Sequence, residues 1–374
     1  MSEKEAALDE KAQETTGEEQ ATVAAGTSSG ASSGASPSGR PGPAFMAFAK
    51  QHRREVPEDS VFNYFTSSDG EQIRYARFPA SKVIEPKGTI IFMPGRTEFI
   101  EKFLEDVHIF NQMGFACAAM DLRGQGMSYR PHPNRDKHFV KSFDPHMEDV
   151  HQLFKQKLVG KMPKPFILMG HSAGSHVILR FLHDFPGLAD AAITVAPMVK
   201  IFTGGLPKFI VNGLPMLMRA LGRGAGYIPG HTAFKEGRWG WRKKLTHDDE
   251  RFKDEDYFIQ EKDRRLAVGG ATYRWLHEAI KSCDKLNEPG YPEAIKTPVL
   301  MLQAEKDRIV DNDAQTAFAA RLPHGRLVVI KGAMHEILKE TDEIRAELWE
   351  AIAEFIDLEN GPDFGPFVKA SEGK

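Results

Sequence analysis

From about residue 61 onward, short apolar runs of strand length alternate with stretches of helical periodicity, and few folds satisfy that alternation. Thr89–Met93, Phe115–Met120, Phe166–Met169, Ala191–Val195, Pro298–Leu302 and Leu327–Ile330 read as buried strands of four to six residues. Phe99, Phe103, Val107 and Phe110 recur at helical spacing ahead of Gly114, and Met147, Val150, Phe154 and Leu158 do so ahead of Gly160. Further helices are predicted from Ser172 to Phe185, around Asp313–Arg321 and from Asp342. Ahead of these, Val61–Thr66 and Gln72–Phe78 read as two strands joined by a turn at Ser68-Asp69-Gly70. Apolar strands alternating with helices imply an α/β fold, a mainly parallel sheet covered by helices on both faces.

The alternation is interrupted once. Residues 198–294 carry no comparable strand pattern and are rich in Gly, Pro, Met and Trp, so they are expected to form an inserted, mostly helical cap. The α/β domain is then in two segments, 44–197 and 295–360. Residues 1–43 begin acidic, with seven Asp and Glu against two Lys in the first twenty, and continue almost entirely in Ala, Gly, Ser, Thr and Pro. Such a segment has too little apolar surface to offset the entropy of ordering, and a disordered tail is expected there, with a shorter one over 361–374.

Composition removes several function classes. A net charge of −3 argues against a protein held to nucleic acid by phosphate contacts. Two cysteines, Cys117 and Cys283, cannot build a disulfide framework or a cysteine-rich zinc site, and they fit a reducing compartment. No stretch reaches the roughly 20 apolar residues of a membrane-spanning helix. With no apolar leader, a cytoplasmic location is expected.

The pattern Gly-x-Ser-x-Gly occurs at 26–30, 30–34 and 170–174. The first two copies lie in the low-complexity tail, where nothing holds a serine in a strained turn. Only Gly170-His171-Ser172-Ala173-Gly174 follows a strand and opens a helix, the setting of a nucleophile elbow. A serine hydroxyl needs a base, and the base an orienting acid. In the order Ser, acid, His, these fall after late strands, which places Asp307 beyond Pro298–Leu302 and His335 beyond Leu327–Ile330. Glu305, Asp311 and Asp313 compete for the acid, the last two resembling helix-entry residues, and His324 competes for the base. A tetrahedral intermediate also needs donors. The expected pair is the backbone N–H of Ala173 and that of Arg96, since Pro94 has none and Gly95 permits the turn. The Arg96 side chain is within reach of Glu98 or of an anionic head group.

These stretches together resemble the serine α/β-hydrolases of the group containing monoglyceride lipases and bacterial lysophospholipases. The resemblance is carried by Pro94-Gly95-Arg96-Thr97-Glu98, Asp121-Leu122-Arg123-Gly124-Gln125-Gly126-Met127-Ser128, the elbow at 170–174, Asp307-Arg308-Ile309-Val310 and Gly332-Ala333-Met334-His335. The chain departs from the group in having Pro94 for a histidine and Ala173-Gly174-Ser175 for Met-Gly-Gly, and both changes keep the backbone donors. The resemblance implies an α/β-hydrolase fold, a triad of Ser172, Asp307 and His335, and hydrolysis of carboxylic esters through an acyl-enzyme. It implies neither metal nor organic cofactor. Asp121–Ser128 is expected to be a structural turn.

The expected cap begins strongly basic. Residues 198–246 hold nine Lys and Arg against the single Glu236, interleaved with apolar residues that include Phe209, Met216 and Met218, the candidate acyl-chain contacts. This mixture suits a surface that meets anionic lipid, so peripheral membrane contact is expected; a cap that packs its apolar residues inward is the competing reading. The expected substrate is a lysophospholipid or monoacylglycerol. A small-molecule carboxylesterase, an acyltransferase, a proline-type aminopeptidase and a catalytically silent hydrolase-fold receptor remain open from sequence. Epoxide hydrolase and dehalogenase chemistry is disfavoured by serine, rather than aspartate, at the elbow.

Overall fold

The computed structural model describes residues 41–80, 85–205, 207–237 and 244–356. Within them the chain runs α1 (Pro43–Gln51), β1 (Val61–Thr66), β2 (Gln72–Phe78), β3 (Thr89–Met93), α2 (Leu104–Gln112), β4 (Ala116–Met120), α3 (Asp144–Leu153), β5 (Phe166–His171), α4 (Ala173–Asp184) and β6 (Ala191–Val195). It continues through α5 (Lys208–Ala220), α6 (Asp249–Tyr257), α7 (Tyr273–Leu286) and α8 (Tyr291–Ala294) to β7 (Val299–Ala304), α9 (Asn312–Ala319), β8 (Gly325–Ile330) and α10 (Asp342–Phe355).

The eight strands form one sheet in the order β1-β2-β4-β3-β5-β6-β7-β8. β1 and β2 pair antiparallel, as does β2 with β4, and every pairing from β4 to β8 is parallel. The α/β architecture expected from the alternation is the one observed. The central strands β3, β4, β5, β6 and β7 are buried along their whole length, which explains why they read as apolar runs rather than as alternating patterns. Two apolar cores lie on opposite faces of the sheet. Ile90 and Phe92 of β3 pack with Phe103, Phe110 and Trp349, whereas Ile91 and Met93 pack with Val150, Phe154 and Phe181.

Several boundaries differ from the sequence reading: β4 begins at Ala116, β5 runs on to His171, β7 spans Val299–Ala304 and β8 begins at Gly325. Pro41 and Gly42 are buried, and Gly42 caps α1, a helix hidden from sequence by a Pro-Gly-Pro stretch that reads as more tail. The helix after β3 starts as a 3₁₀ turn, Ile100–Phe103, before α2. The acidic start of the chain and residues 361–374 lie outside the described residues.

Between β6 and β7, which are parallel neighbours, the described residues contain helices α5 to α8 and add no strand to the sheet. The segment is fastened at several points. Arg251 of α6 is buried against Glu105 of α2, and Ser282 of α7 accepts from Arg180 and meets His176 of α4. Phe202 N–H donates to the Ile309 carbonyl and Asp311 N–H to that of Lys200, both at 3.0 Å, so the entry to the segment is tied to the loop after β7.

Candidate active site

β5 runs through His171 and α4 begins at Ala173, so Ser172 alone makes the strand-to-helix turn. It does so at φ 50° and ψ −111°, a region that side chains with a Cβ rarely adopt. The flanking glycines let the turn close. A Cβ on Gly170 would fall 2.8 Å from the Gly174 carbonyl carbon, and one on Gly174 would fall 2.1 Å from the Met93 carbonyl oxygen. Backbone bonds hold the turn: Ser172 N–H donates to the Val195 carbonyl at 2.9 Å, and the Ser172 carbonyl accepts from His176 and Met198, each at 3.1 Å.

Ser172, Asp307 and His335, each beyond the C-terminal end of its own parallel strand, meet in one chain of hydrogen bonds. His335 Nε2 lies 3.0 Å from Ser172 Oγ, and Nδ1 lies 2.7 Å from Asp307 Oδ2. With the Nδ1 proton directed to the carboxylate, Nε2 is left to accept from the serine. Asp307 Oδ1 also accepts from Ile309 N–H at 2.7 Å and Val310 N–H at 3.1 Å. Burial would raise the Asp307 pKa, but His335 and these N–H groups outweigh it and hold the carboxyl below its ordinary value. Of the competing acids, Glu305 accepts from Gly332 N–H, Asp311 caps α9 and pairs with Lys200, and Asp313 sits in the first turn of α9. His324 sits at the far end of β8, where its carbonyl accepts from Val299 N–H.

The Pro94–Glu98 loop abuts the elbow through the Met93 and Pro94 carbonyls that surround Gly174. Ala173 N–H lies in the first turn of α4, where backbone donors have no intrahelical acceptor. Asp121–Ser128 braces the loop. Gln125 donates to the Gly95 and Glu98 carbonyls at 2.6 and 2.8 Å, and the Asp121 carboxylate accepts from Ile100 N–H at 2.9 Å and Met127 N–H at 2.8 Å. The Arg96 guanidinium lies over the Trp275 ring, 5.5 Å from its centroid. Glu98 turns the other way, to Lys102 and His171.

Sequence reasoning passed over two parts of this site. The first is the meeting of Glu98, Lys102 and His171: the sequence sets Glu98 beside Arg96 and His171 within the elbow, and only the four-residue spacing of Glu98 and Lys102 hints at a contact. The second is an apolar cluster in which Ala173 packs with Phe143, Met198, Trp275 and Val310, residues drawn from distant segments. Of the candidate acyl-chain contacts, Met216 is 63% exposed and Met218 is half-buried, while the Phe209 side chain lies outside the described residues. Among the described residues, no group of three His, Cys, Asp or Glu is arranged to hold a metal ion.

Comparison with known proteins adds to this geometry. The family described as serine aminopeptidase, S33, matches residues 84–342. Lysophospholipase L2 of Escherichia coli strain K12 is 31% identical over 316 residues, covering 80% of this chain and 88% of that protein. The probable lysophospholipase L2 of Haemophilus influenzae is 28% identical over 324 residues, covering 85% and 99%. Among solved structures, a soluble variant of monoglyceride lipase from Saccharomyces cerevisiae superposes with a TM-score of 0.63 at 20% identity, over 81% of this chain and 95% of that one, a likeness of fold.

Proposed function

The chain belongs to the family described as serine aminopeptidase, S33, and from that premise we propose that Ser172, His335 and Asp307 act as nucleophile, base and orienting acid in the hydrolysis of lipid-like carboxylic esters, lysophospholipids or monoacylglycerols. His335 Nε2 takes the Ser172 proton as Oγ attacks the ester carbonyl. Asp307 holds the imidazole by Nδ1 and stabilises its charged form. The N–H groups of Ala173 and Arg96 receive the oxyanion at the N-terminus of α4. His335 then returns its proton to the leaving alcohol, activates water against the acyl-enzyme, and the fatty acid departs. The observation that carries this reading is the 3.0 Å approach of Ser172 Oγ to His335 Nε2 from a serine held at φ 50°.

Residues 198–294 would form the cap over this centre, with Phe143, Met198 and Trp275 beside Ala173 as the apolar wall for the acyl chain. Met216 and Met218 on α5 are the candidate contacts nearer solvent, and Phe209 of the same helix is a further candidate. No described helix is long and apolar enough to cross a membrane. Exposed Ile210, Leu217 and Leu221, on or just beyond α5 at helical spacing and beside exposed Arg219 and Arg223, support peripheral contact with an anionic lipid surface. Two buried free thiols, Cys117 and Cys283, support a cytoplasmic setting.

Purified protein assayed side by side on lysophosphatidylcholine, monoacylglycerol, a short p-nitrophenyl ester and an aminoacyl anilide tests the substrate class. Faster turnover of the two lipids is expected. A marked preference for the short ester would restore the small-molecule esterase reading, and one for the anilide the peptidase reading.

A further inference from the structure

The residue directly before the candidate nucleophile is a histidine whose ring turns back beneath the site. His171 Nε2 lies 3.1 Å from the His335 backbone carbonyl, and Nδ1 lies 3.1 Å from Glu98 Oε1. Both neighbours are acceptors, so the ring satisfies both only when both nitrogens carry protons. Glu98 in turn accepts the Gly95 N–H at 2.5 Å and the Lys102 ammonium at 3.1 Å. The Glu98–His171 pair thus joins the loop after β3 and the elbow to the loop that carries His335, which His171 reaches through its Nε2. Lys102 extends the set, reaching Glu336 at 3.4 Å and Glu255 of α6 at 3.3 Å.

These groups are buried around a void of about 10 Å³ lined by Glu98, Lys102, His171, Glu336 and Lys339, so bulk water screens them little. Burial alone would strip His171 of its second proton. Glu98 and Glu336 outweigh burial and the opposing Lys102, and the His171 pKa stands above the ordinary imidazole value. Burial would likewise raise the Glu98 pKa, but Lys102, His171 and Gly95 N–H hold it well below the usual carboxylate range. The Lys102 pKa is raised, its three carboxylates outweighing burial.

We propose that Glu98 and His171 are positioning residues for ester hydrolysis: a buried carboxylate–imidazolium pair that fixes the backbone of His335, and the loop bearing the Arg96 donor, against the strand that presents Ser172. This rests on the triad reading above. Neither side chain touches substrate. Each sets the geometry in which the base meets the nucleophile, where small misplacements are costly.

The pair gives activity an alkaline limit. The groups facing His171 are Glu98 from the loop after β3, Lys102 from the 3₁₀ turn, Glu336 and the His335 ring from the loop after β8 and, beyond Lys102, Glu255 from α6. Because the folded pKa of His171 is raised, its doubly bonded form is present at lower pH and is lost as pH rises through that value. Glu98→Gln removes the principal counter-charge and moves the loss to lower pH.

The test is steady-state hydrolysis of a short soluble p-nitrophenyl ester across pH, with thermal unfolding of each variant. Glu98→Gln is expected to lower kcat about ten- to hundredfold with KM within about twofold, and to shift the alkaline limb of kcat to lower pH. His171→Gln, which keeps a donor near the Nε2 position, is expected to recover part of the activity lost in His171→Leu and to abolish that limb. Where Glu98→Gln does not fold, the two His171 variants carry the test. Folded variants with wild-type kcat and an unmoved alkaline limb overturn the proposal, as does equal loss in His171→Gln and His171→Leu. Labelling by a fluorophosphonate probe separates this failure from that of the triad. An unlabelled wild-type protein sinks the triad reading first, whereas a labelled wild type with indifferent variants sinks the positioning pair alone.

Discussion

Ser172 occupies a backbone region that costs an L residue roughly 1–3 kcal/mol, and the packing of β5 against α4 keeps it there. Gly174 is part of that packing, because its Cα faces the Met93 carbonyl. Gly174→Ala is therefore expected to lower both the thermal midpoint and kcat/KM, the latter by about a hundredfold or more, in melts and ester assays run together. An unaffected variant would mean that the loop and the elbow are not in tight register. Asp307→Asn tests the acid. It is expected to cost about 10⁴ in kcat while leaving the fold intact, because an amide can hold the wrong imidazole tautomer. Since the Asp307 pKa is lowered, its contribution is complete above the ordinary Asp value and is lost as pH falls from there through the lower folded value. Ser172, Asp307 and His335 were legible in the sequence because each follows a strand that declares itself by composition. The Glu98–His171 contact was not, since nothing in either local pattern points to the other.

The helices differ in how openly they announce themselves. The strands are written in apolar runs, and β1, β2, β3 and β6 begin and end where those runs do. α6 is nearly all charged and would read as a solvated face, yet Arg251 and Asp254 within it are buried. Arg251 donates to Glu105 of α2 at 2.7 and 2.9 Å, to Asp342 of α10 at 2.5 Å and to the Glu340 carbonyl at 2.8 Å. Arg345 of α10 converges on Glu105 and Asp106. Such a set is specified by partners remote in sequence, and periodicity carries no trace of it. Removing the Arg251 guanidinium leaves the Glu105 carboxylate buried with one fewer cation. Arg251→Met is expected to destabilise the protein by about 3–5 kcal/mol, read from urea midpoints at constant slope. A loss below about 1 kcal/mol would show that α6 is held by its apolar contacts instead.

At the scale of the whole chain, the net charge of −3 conceals an acidic start and a basic stretch at 198–246. The sequence placed that stretch in an insertion. The structure adds that Ile210, Met216 and Leu217 of α5 and Leu221 just beyond it are exposed, and the proposed lipid contact rests on them. Replacing Leu217 and Leu221 together by Asp is expected to lower partition onto vesicles containing anionic phospholipid by about tenfold or more, while hydrolysis of a soluble short ester is unchanged. Equal vesicle binding by the double variant would remove α5 from the lipid contact. How residues 198–294 are fastened is beyond sequence reading, because their anchors, Arg251, Ser282 and Phe202, find partners in segments far along the chain.

Hydrolysis of lysophosphatidylcholine and monoacylglycerol by purified wild-type protein and by Ser172→Ala decides whether Ser172 is the nucleophile of a lipid-ester hydrolase. Turnover by the wild type is expected, with a fall of at least about 10³-fold in kcat for a folded Ser172→Ala protein and fluorophosphonate labelling lost in parallel. Ester hydrolysis that persists at the wild-type rate in Ser172→Ala would remove Ser172 from the chemistry.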